Sequence, residues 1–386
     1  MADEAPLRLS GAARGNVYDV GEVGGAFGDL GTFVPFVVGY LAVTGLEPGG
    51  ILVSFGLAQI AVGLWYRTPL AVQPMKAIGS AAVAQPGVVT AGAVQVAGLF
   101  TGVLWLVLGL TGAASWLARL AGRPVVNGLV LGLALALGVE GVRMAAGDPW
   151  AGLLAGAVGL TLLSRAPAPA MLALLALGLA VALTRAPGLA ADLAAAGWDW
   201  RLPALGLRAV GWRDVVTGVV VLALPQAALT FGNAVVAATE ENNTVFPDRP
   251  VTVRAIAVNH GLMNLGGAGL GGVPMCHGAG GMAGHLRFGA RSGGALVILG
   301  LVTLVAGLGF ADALALLLRA FPAGVLGIVL LFGSLELAAT VRLDDAAREA
   351  RYVTFATAAL GMWNMGLGFA AGVLLWHGSR RGWLRT

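Results

Sequence analysis

The chain is divided into apolar segments about 18 to 25 residues long, set apart by short clusters of glycine, proline and arginine. That is the length a helix needs to cross a hydrocarbon core of about 30 Å. The segments lack the period-two alternation of outer-membrane strands, so the membrane is crossed by helices. Composition agrees: 58% of residues are hydrophobic and 11% charged, against roughly 25% charged in soluble domains. The fold class is an all-α polytopic membrane protein, whose first partner is the lipid bilayer. Its one cysteine, Cys276, cannot close an internal disulfide.

Other classes fall away quickly. Residues 1–15 carry acids and arginines without an apolar run, so they read as a cytoplasmic N-terminal tail and not as a cleaved leader. The pI near 9.8 does not point to nucleic acid, because the arginines stand singly between apolar runs instead of forming a basic face. No hydrolase triad, Walker loop or HExxH pattern occurs. No enzyme activity and no cofactor are expected.

Hydropathy, with glycine, proline and charge as punctuation, places spans at 22–43, 49–66, 71–85, 92–113, 124–143, 148–164, 168–185, 213–238, 252–267, 275–286, 293–317, 321–340, 350–365 and 366–378. That is about fourteen. With both termini cytoplasmic, the inner segments collect sixteen arginines and the outer segments six, four of the six in or beside one long outer loop. The positive-inside rule therefore favours an even number of spans. Two spans, 71–85 and 275–286, are too short to cross alone, and each opens on a Pro-Met pair: "VQPMKAIGSA" and "GVPMCHGAGG". The prolines, Pro74 and Pro274, lie 200 residues apart. Two halves of seven spans, the second upside down relative to the first, follow from that offset; this is the inverted-repeat plan of many secondary transporters.

Irregular backbone at membrane depth persists only where protein or a cavity surrounds it. Pro74 and Pro274 are thus expected at the first positions of two half-helices, spans 3 and 10, with the amides of Met75 to Ala77 and of Met275 to His277 left free at the positive ends. Two such ends face to face make an anion site. Of 23 basic residues, 22 are arginine and Lys76 alone is lysine. An unpaired cation in a span costs about 2.5 to 3.5 kcal/mol on insertion scales, which a bound anion offsets, and a compact ammonium suits a small site better than a guanidinium fork. Lys76 could instead snorkel to an interface or pair with Asp29. His277, one turn into span 10, is either a ligand or a neutral structural histidine.

The run "GGVPMCHGAGGMAGH" holds soft or borderline metal ligands in Met275, Cys276, His277, Met282 and His285. Neighbours on a helix point about 100° apart, so Cys276 and His277 are poorly placed to share an ion. No metal site is expected; Gly278, Gly280, Gly281 and Gly284 fit close helix packing. Asp29, an acid inside the first span, could carry a coupling proton, orient Lys76 or cap a broken helix; with His277 it is a candidate for coupling. Thr32, Gln73, Gln226, Thr230 and Asn233 are neutral donors on the interrupted elements. Glu140 and Glu336 fall on other spans and are expected to be structural or gating. "EENNTVFPDR", 240–249, reads as an inner loop.

The stretches "GGAFGDLGTFVPF", "AVQPMKAIGSAAVA", "LPQAALTFGNAVVA" and "GGVPMCHGAGGMAGHLRFGARSG" together resemble the molybdate transporter family of plants and bacteria, a branch related to sulfate permeases. The resemblance covers residues 16 to 375. It implies uptake of molybdate on a fold of two inverted seven-helix repeats shared with sulfate and nucleobase permeases, in which a core carries substrate past a gate. Transferred to this chain, the core is 16–120 and 213–318, the gate 121–190 and 319–378, with an outer loop at 191–212, a cytoplasmic tail at 379–386 and no C-terminal regulatory domain. The implied substrate-binding residues are Asp29, Thr32, Gln73, Lys76, Ala77, Gln226, Thr230, Asn233, Met275, Cys276, His277 and Gly278. Nucleobase permeases carry acids where this chain has Gln226 and the Cys276–His277 pair, which favours an oxyanion. The resemblance also implies a bacterial cytoplasmic membrane and a homodimer through the gate. A sulfate transporter or an anion channel of the same fold are the alternatives, since molybdate and sulfate are both tetrahedral dianions. An intramembrane enzyme using Cys276 and His277 is a third class.

Overall fold

The computed structural model describes residues 15–84, 88–120, 122–163, 170–205, 209–287, 289–339, 341, 343 and 347–382. The first half runs α1 (Val20–Ala26), α2 (Leu30–Thr44), α3 (Pro48–Tyr66), β1 (Val72–Pro74), α4 (Lys76–Ala84), α5 (Ala91–Leu110), α6 (Ala113–Leu120), α7 (Arg123–Gly147), α8 (Pro149–Leu163), α9 (Ala170–Arg185) and α10 (Leu189–Ala196). The second runs α11 (Trp212–Val245), α12 (Val253–Gly269), β2 (Met275–His277), α13 (Ala279–Arg287), α14 (Gly294–Gly309), α15 (Ala311–Ala320), α16 (Ala323–Ala339), α17 (Arg348–Trp363) and α18 (Met365–Arg380). The protein is a helical, multi-pass integral membrane protein. By length and composition, α3, α5, α7 and α11 can each cross a membrane unaided.

Several expected boundaries move. The first span is two helices, parted by a turn over 27–29 whose last residue is Asp29. Span 8 is not broken at its Gly, Pro and polar residues. Its helix is continuous through Val245 and widens instead into two π-helical stretches, Thr217–Ala223 and Thr230–Ala237, on either side of Pro225; such widening lets a helix absorb an irregularity without losing its hydrogen bonds. The start of the expected inner loop at 240 is therefore helical. The eleventh span ends at Gly309, where the chain bends by 96° into α15. Residues 189–196, which overlap the expected outer loop, form α10. The segment that follows is tied to the end of α14 by Asp199 N to Gly309 O, 3.0 Å, and Arg201 N to Leu308 O, 2.9 Å.

The two halves associate by one pattern used twice. Helix α3 lies along α14 and α5 along α12; α7 packs on α16, and the contacts of α7 with α17 and of α16 with α8 repeat each other across the halves. Glycine permits the close approach: a Cβ on Gly56 would stand 2.7 Å from the Gly300 carbonyl oxygen, and one on Gly300 2.7 Å from that of Gly56. The largest buried cluster, including Tyr40, Phe55, Met75, Trp105, Phe231 and Met275, surrounds the two short segments. A separate cluster built on Ala155, Leu174, Val325 and Phe332 holds α8, α9 and α16 together. Glu140 pairs with Arg143 on α7 at 3.5 Å. The side chain of Glu336 is outside those described.

Candidate anion site

The two Pro-Met segments meet. Gln73 and Val273 each precede a proline, which biases them toward extended backbone, and β1 pairs with β2 in an antiparallel ladder: Val72 with His277, Gln73 with Cys276, Pro74 with Met275. Met75 N adds a bond to Pro274 O at 2.8 Å. The pairing satisfies backbone that would otherwise be orphaned in the membrane. It also moves the helix starts. Pro74 and Pro274 are not first helical residues: α4 begins at Lys76 and α13 at Ala279.

The expected donors shift accordingly. Met275 N donates to Asn264 Oδ1 at 2.9 Å and His277 N to His260 Nε2 at 3.1 Å, so neither is free. At this end it is instead the first-turn amides of α13, Ala279 to Gly281, that have no backbone acceptor among the described residues. At the other end, Ala77 N donates to Gln226 Oε1 at 2.8 Å and Ile78 N to the same oxygen at 3.4 Å. Gln226 is held in turn by its Nε2 donating to Thr230 Oγ1 at 2.9 Å. A neutral amide from α11 thus sits where the α4 terminus would receive an anion.

Lys76 is 3% exposed. It does not snorkel, and no described residue hydrogen-bonds or ion-pairs with its ammonium at contact distance; Asp29 and Cys276 lie within electrostatic reach. Asp29 is buried and accepts from Gln73 Nε2 at 2.6 Å. Gln73 Oε1 and Asn233 Oδ1 are buried without partners among the described residues. Thr32 is half-buried, its amide bonded to Asp29 O at 3.0 Å. Gly278, just before α13, and the glycines of α13 make room for Asp29 and Gln73. A Cβ on Gly278 would fall 1.9 Å from Gln73 Oε1, and one on Gly281 2.3 Å from Gln73 Nε2 and 2.8 Å from Asp29 Cγ. Gly284 faces the turn before Asp29, 2.7 Å from Gly28 O by the same measure.

The remaining expected residues are fixed in place by the protein. His277 has both ring nitrogens taken, Nδ1 at 2.9 Å from Ala71 O and Nε2 at 2.8 Å from Asn259 Oδ1. Met275 sets its methyl against Gly267 of α12. The Cys276 thiol points at Pro74 O, 3.9 Å away. Residues that sequence reasoning passed over do much of the positioning. Asn264 clamps Met275 on both sides, its Nδ2 also reaching Met275 O at 2.7 Å; Tyr40 OH holds Met75 O at 2.9 Å; Glu22 accepts from the amides of Arg291 and Ala295, both at 2.8 Å, and so fastens α1 to the start of α14. The available signal was spacing: His260 and Asn264, four apart in an apolar span, share one helix face.

Comparison with known proteins follows the same pattern. The family described as "Molybdate transporter of MFS superfamily" matches residues 21–137 and 218–337, more than half the chain and both short segments. The chain belongs to the molybdate transporter family. Molybdate transporter 2 of Arabidopsis thaliana is 33% identical over 92% of this chain and 86% of its own length. Molybdate transporter 1 of Chlamydomonas reinhardtii is 30% identical over 92% and 90%. The fold of this family member is that of the transmembrane domain of a cyanobacterium bicarbonate transporter, BicA (TM-score 0.63, 17% identity, 93% of this chain and 99% of that one). Murine Slc26a9, an anion transporter in the inward-facing state, shares it too (TM-score 0.67, 11% identity, 96% and 69%).

Proposed function

We propose that the protein carries molybdate across a membrane by alternating access, holding the dianion between the starts of α4 and α13. The observation that carries this reading is Lys76: a cation buried at a helix start, unpartnered among the described residues, with Asp29 and Cys276 within electrostatic reach and a second helix starting just after the strand that pairs with its own. Both helix dipoles and the ammonium favour negative charge at that point. Gln226 is the natural group to yield, since exchanging a neutral acceptor for a dianion on the amides of Ala77 and Ile78 strengthens those bonds about twofold. Asp29, Thr32, Gln73, Thr230, Asn233 and Gly278 border the same volume. Cys276, Met275 and His277 shape its floor through the β1–β2 pair.

The recurrent packing of α3 with α14 and α5 with α12 supports two inverted halves of seven spans, with α4 and α13 as half-helices. In that arrangement the helix bundle that contains β1 and β2 is the moving carrier, and the bundle of α7, α8, α9 and α16 to α18 is the gate. The arginine distribution supports cytoplasmic termini, which cysteine labelling from either side would test.

Titration calorimetry of the purified protein with molybdate, tungstate, sulfate and uracil tests the reading directly. Molybdate and tungstate are expected to bind and uracil not to. Sulfate binding as tight as molybdate would make the protein a sulfate carrier. In proteoliposomes, uptake is expected to saturate; unitary currents would instead identify a channel. Lys76→Ala is expected to raise the molybdate Kd tenfold or more, the loss of a charge-assisted contact of about 1.5 to 3 kcal/mol. An unchanged Kd would end the proposal.

A further inference from the structure

Three histidines are buried, and they differ in one respect. His260 donates from Nδ1 to Ile256 O at 2.8 Å and accepts the His277 amide at Nε2. His277 is engaged at both nitrogens. His285, fully buried on α13, has Nδ1 at 2.8 Å from Gly25 O, while its Nε2 has no partner among the described residues. A carbonyl oxygen only accepts, so Nδ1 carries the hydrogen and Nε2 presents a bare lone pair inside the protein. Such a group costs stability unless it is used.

Its surroundings define the use. Asp29 lies within electrostatic reach of both His285 and Lys76, and the backbones of the two elements touch: a Cβ on Gly28 would be 2.9 Å from His285 N. The elements packed on α13 are α1 and both the π-helical stretch at 230–237 and the final turns of α11. Their titratable groups are Asp19, which caps α1, Glu22, held by the amides of Arg291 and Ala295, Glu240, paired with Arg123, and Glu241. With Lys76 charged and Asp29 ionised, the site is neutral before the anion arrives and carries two negative charges after it.

We infer that His285 is the proton site of this carrier: a proton enters on Nε2 together with the anion and leaves when the anion does, which makes transport a proton–oxyanion symport. The inference rests on the proposed anion site and adds its coupling ion. Nδ1 stays bonded to Gly25 O throughout, so the ring needs no reorientation; only Nε2 changes, from lone pair to N–H, and Asp29, within electrostatic reach of both His285 and Lys76, links that change to the anion site. Histidine is suited to this because its ordinary titration range spans neutral pH. Proton and anion then reinforce each other's binding by the same factor, as linkage requires.

The test is titration of wild-type protein with sodium molybdate at fixed pH in buffers of different ionisation enthalpy, repeated from pH 8 to pH 6. The expected result is uptake of about one proton per molybdate and a Kd that falls by up to about tenfold per pH unit. His285→Asn, whose amide nitrogen can keep the bond to Gly25 O, is expected to bind with no buffer dependence and with a flat pH profile. Should that variant elute as aggregate, His285→Gln serves in its place, and the wild-type measurement stands without either. Wild-type protein that binds molybdate without proton uptake would overturn this inference alone, as would a variant that still takes up a proton. Protein that binds no molybdate in any buffer would overturn the anion site itself and the symport with it.

Discussion

The start of α4 and the start of α13 each follow a Pro-Met pair yet are equipped differently. The α4 end carries the charge: Lys76 is its first residue, and a side chain from α11 covers its amides. The α13 end carries no cation in its first turn and leaves its amides uncovered, and its glycines let Gln73 and Asp29 lie against the helix backbone. In the proposed site, one end attracts the anion and the other makes space and donors for it. Two charged ends would repel each other across the narrow β1–β2 contact, and two glycine ends would lack the affinity for a dianion.

Removing the space should do most damage. Gly278→Ala places a methyl on Gln73 Oε1, and Gln73 cannot retreat while Asp29 holds its amide; overpacking of this kind costs about 1 to 3 kcal/mol or more. Loss of measurable molybdate binding with a fall in Tm is expected, and a variant that binds normally would show that the glycine face is not part of the site. Gln226→Glu comes next. A carboxylate facing the anion position should weaken molybdate about 100-fold, by a like-charge term of a few kcal/mol at short range, whereas Gln226→Ala should change the Kd less than tenfold. Equal effects from the two would mean that Gln226 serves only to bind the helix end. Asn264→Ala tests the frame behind the α13 end. It orphans the buried amide and carbonyl of Met275, at about 1 to 3 kcal/mol, so thermal stability should drop at least as clearly as affinity. The smallest effect belongs far away in the proposed gate. Arg185 pairs bidentately with Asp148 at 2.6 and 2.9 Å, but the pair is partly exposed, and Arg185→Gln should leave both Tm and molybdate affinity nearly unchanged.

Much of the fold was legible because the bilayer enforces it. Apolar runs of fixed length mark α3, α5 and α7, and their ends were read to within a few residues. The exceptions have local causes. α11 was expected to break where its sequence is rich in Gly, Pro and polar residues, and it widens into π-helix instead; α14 was expected to run on to 317, and it turns at Gly309 where the outer loop caps its carbonyls. Within the candidate site, the sequence singled out Pro74, Pro274, Lys76, Asp29 and Gln73, all of which the fold brings to one place. It misplaced the helix starts, because a proline permits either a first helical position or an edge strand, and only the partner 200 residues away selects the strand.

By itself the sequence determined that the chain lives in a membrane, that two of its segments are too short to cross alone, and that one lysine stands apart from every other basic residue. These follow from length, hydropathy and composition, which act locally. Tertiary structure decided which groups are spent and which are spare. Gln226 reaches Ala77, Ala71 reaches His277 and Gly25 reaches His285 across separations of 149, 206 and 260 residues. A hydrogen bond depends on a few tenths of an ångström between atoms, and no pattern along the chain records that distance.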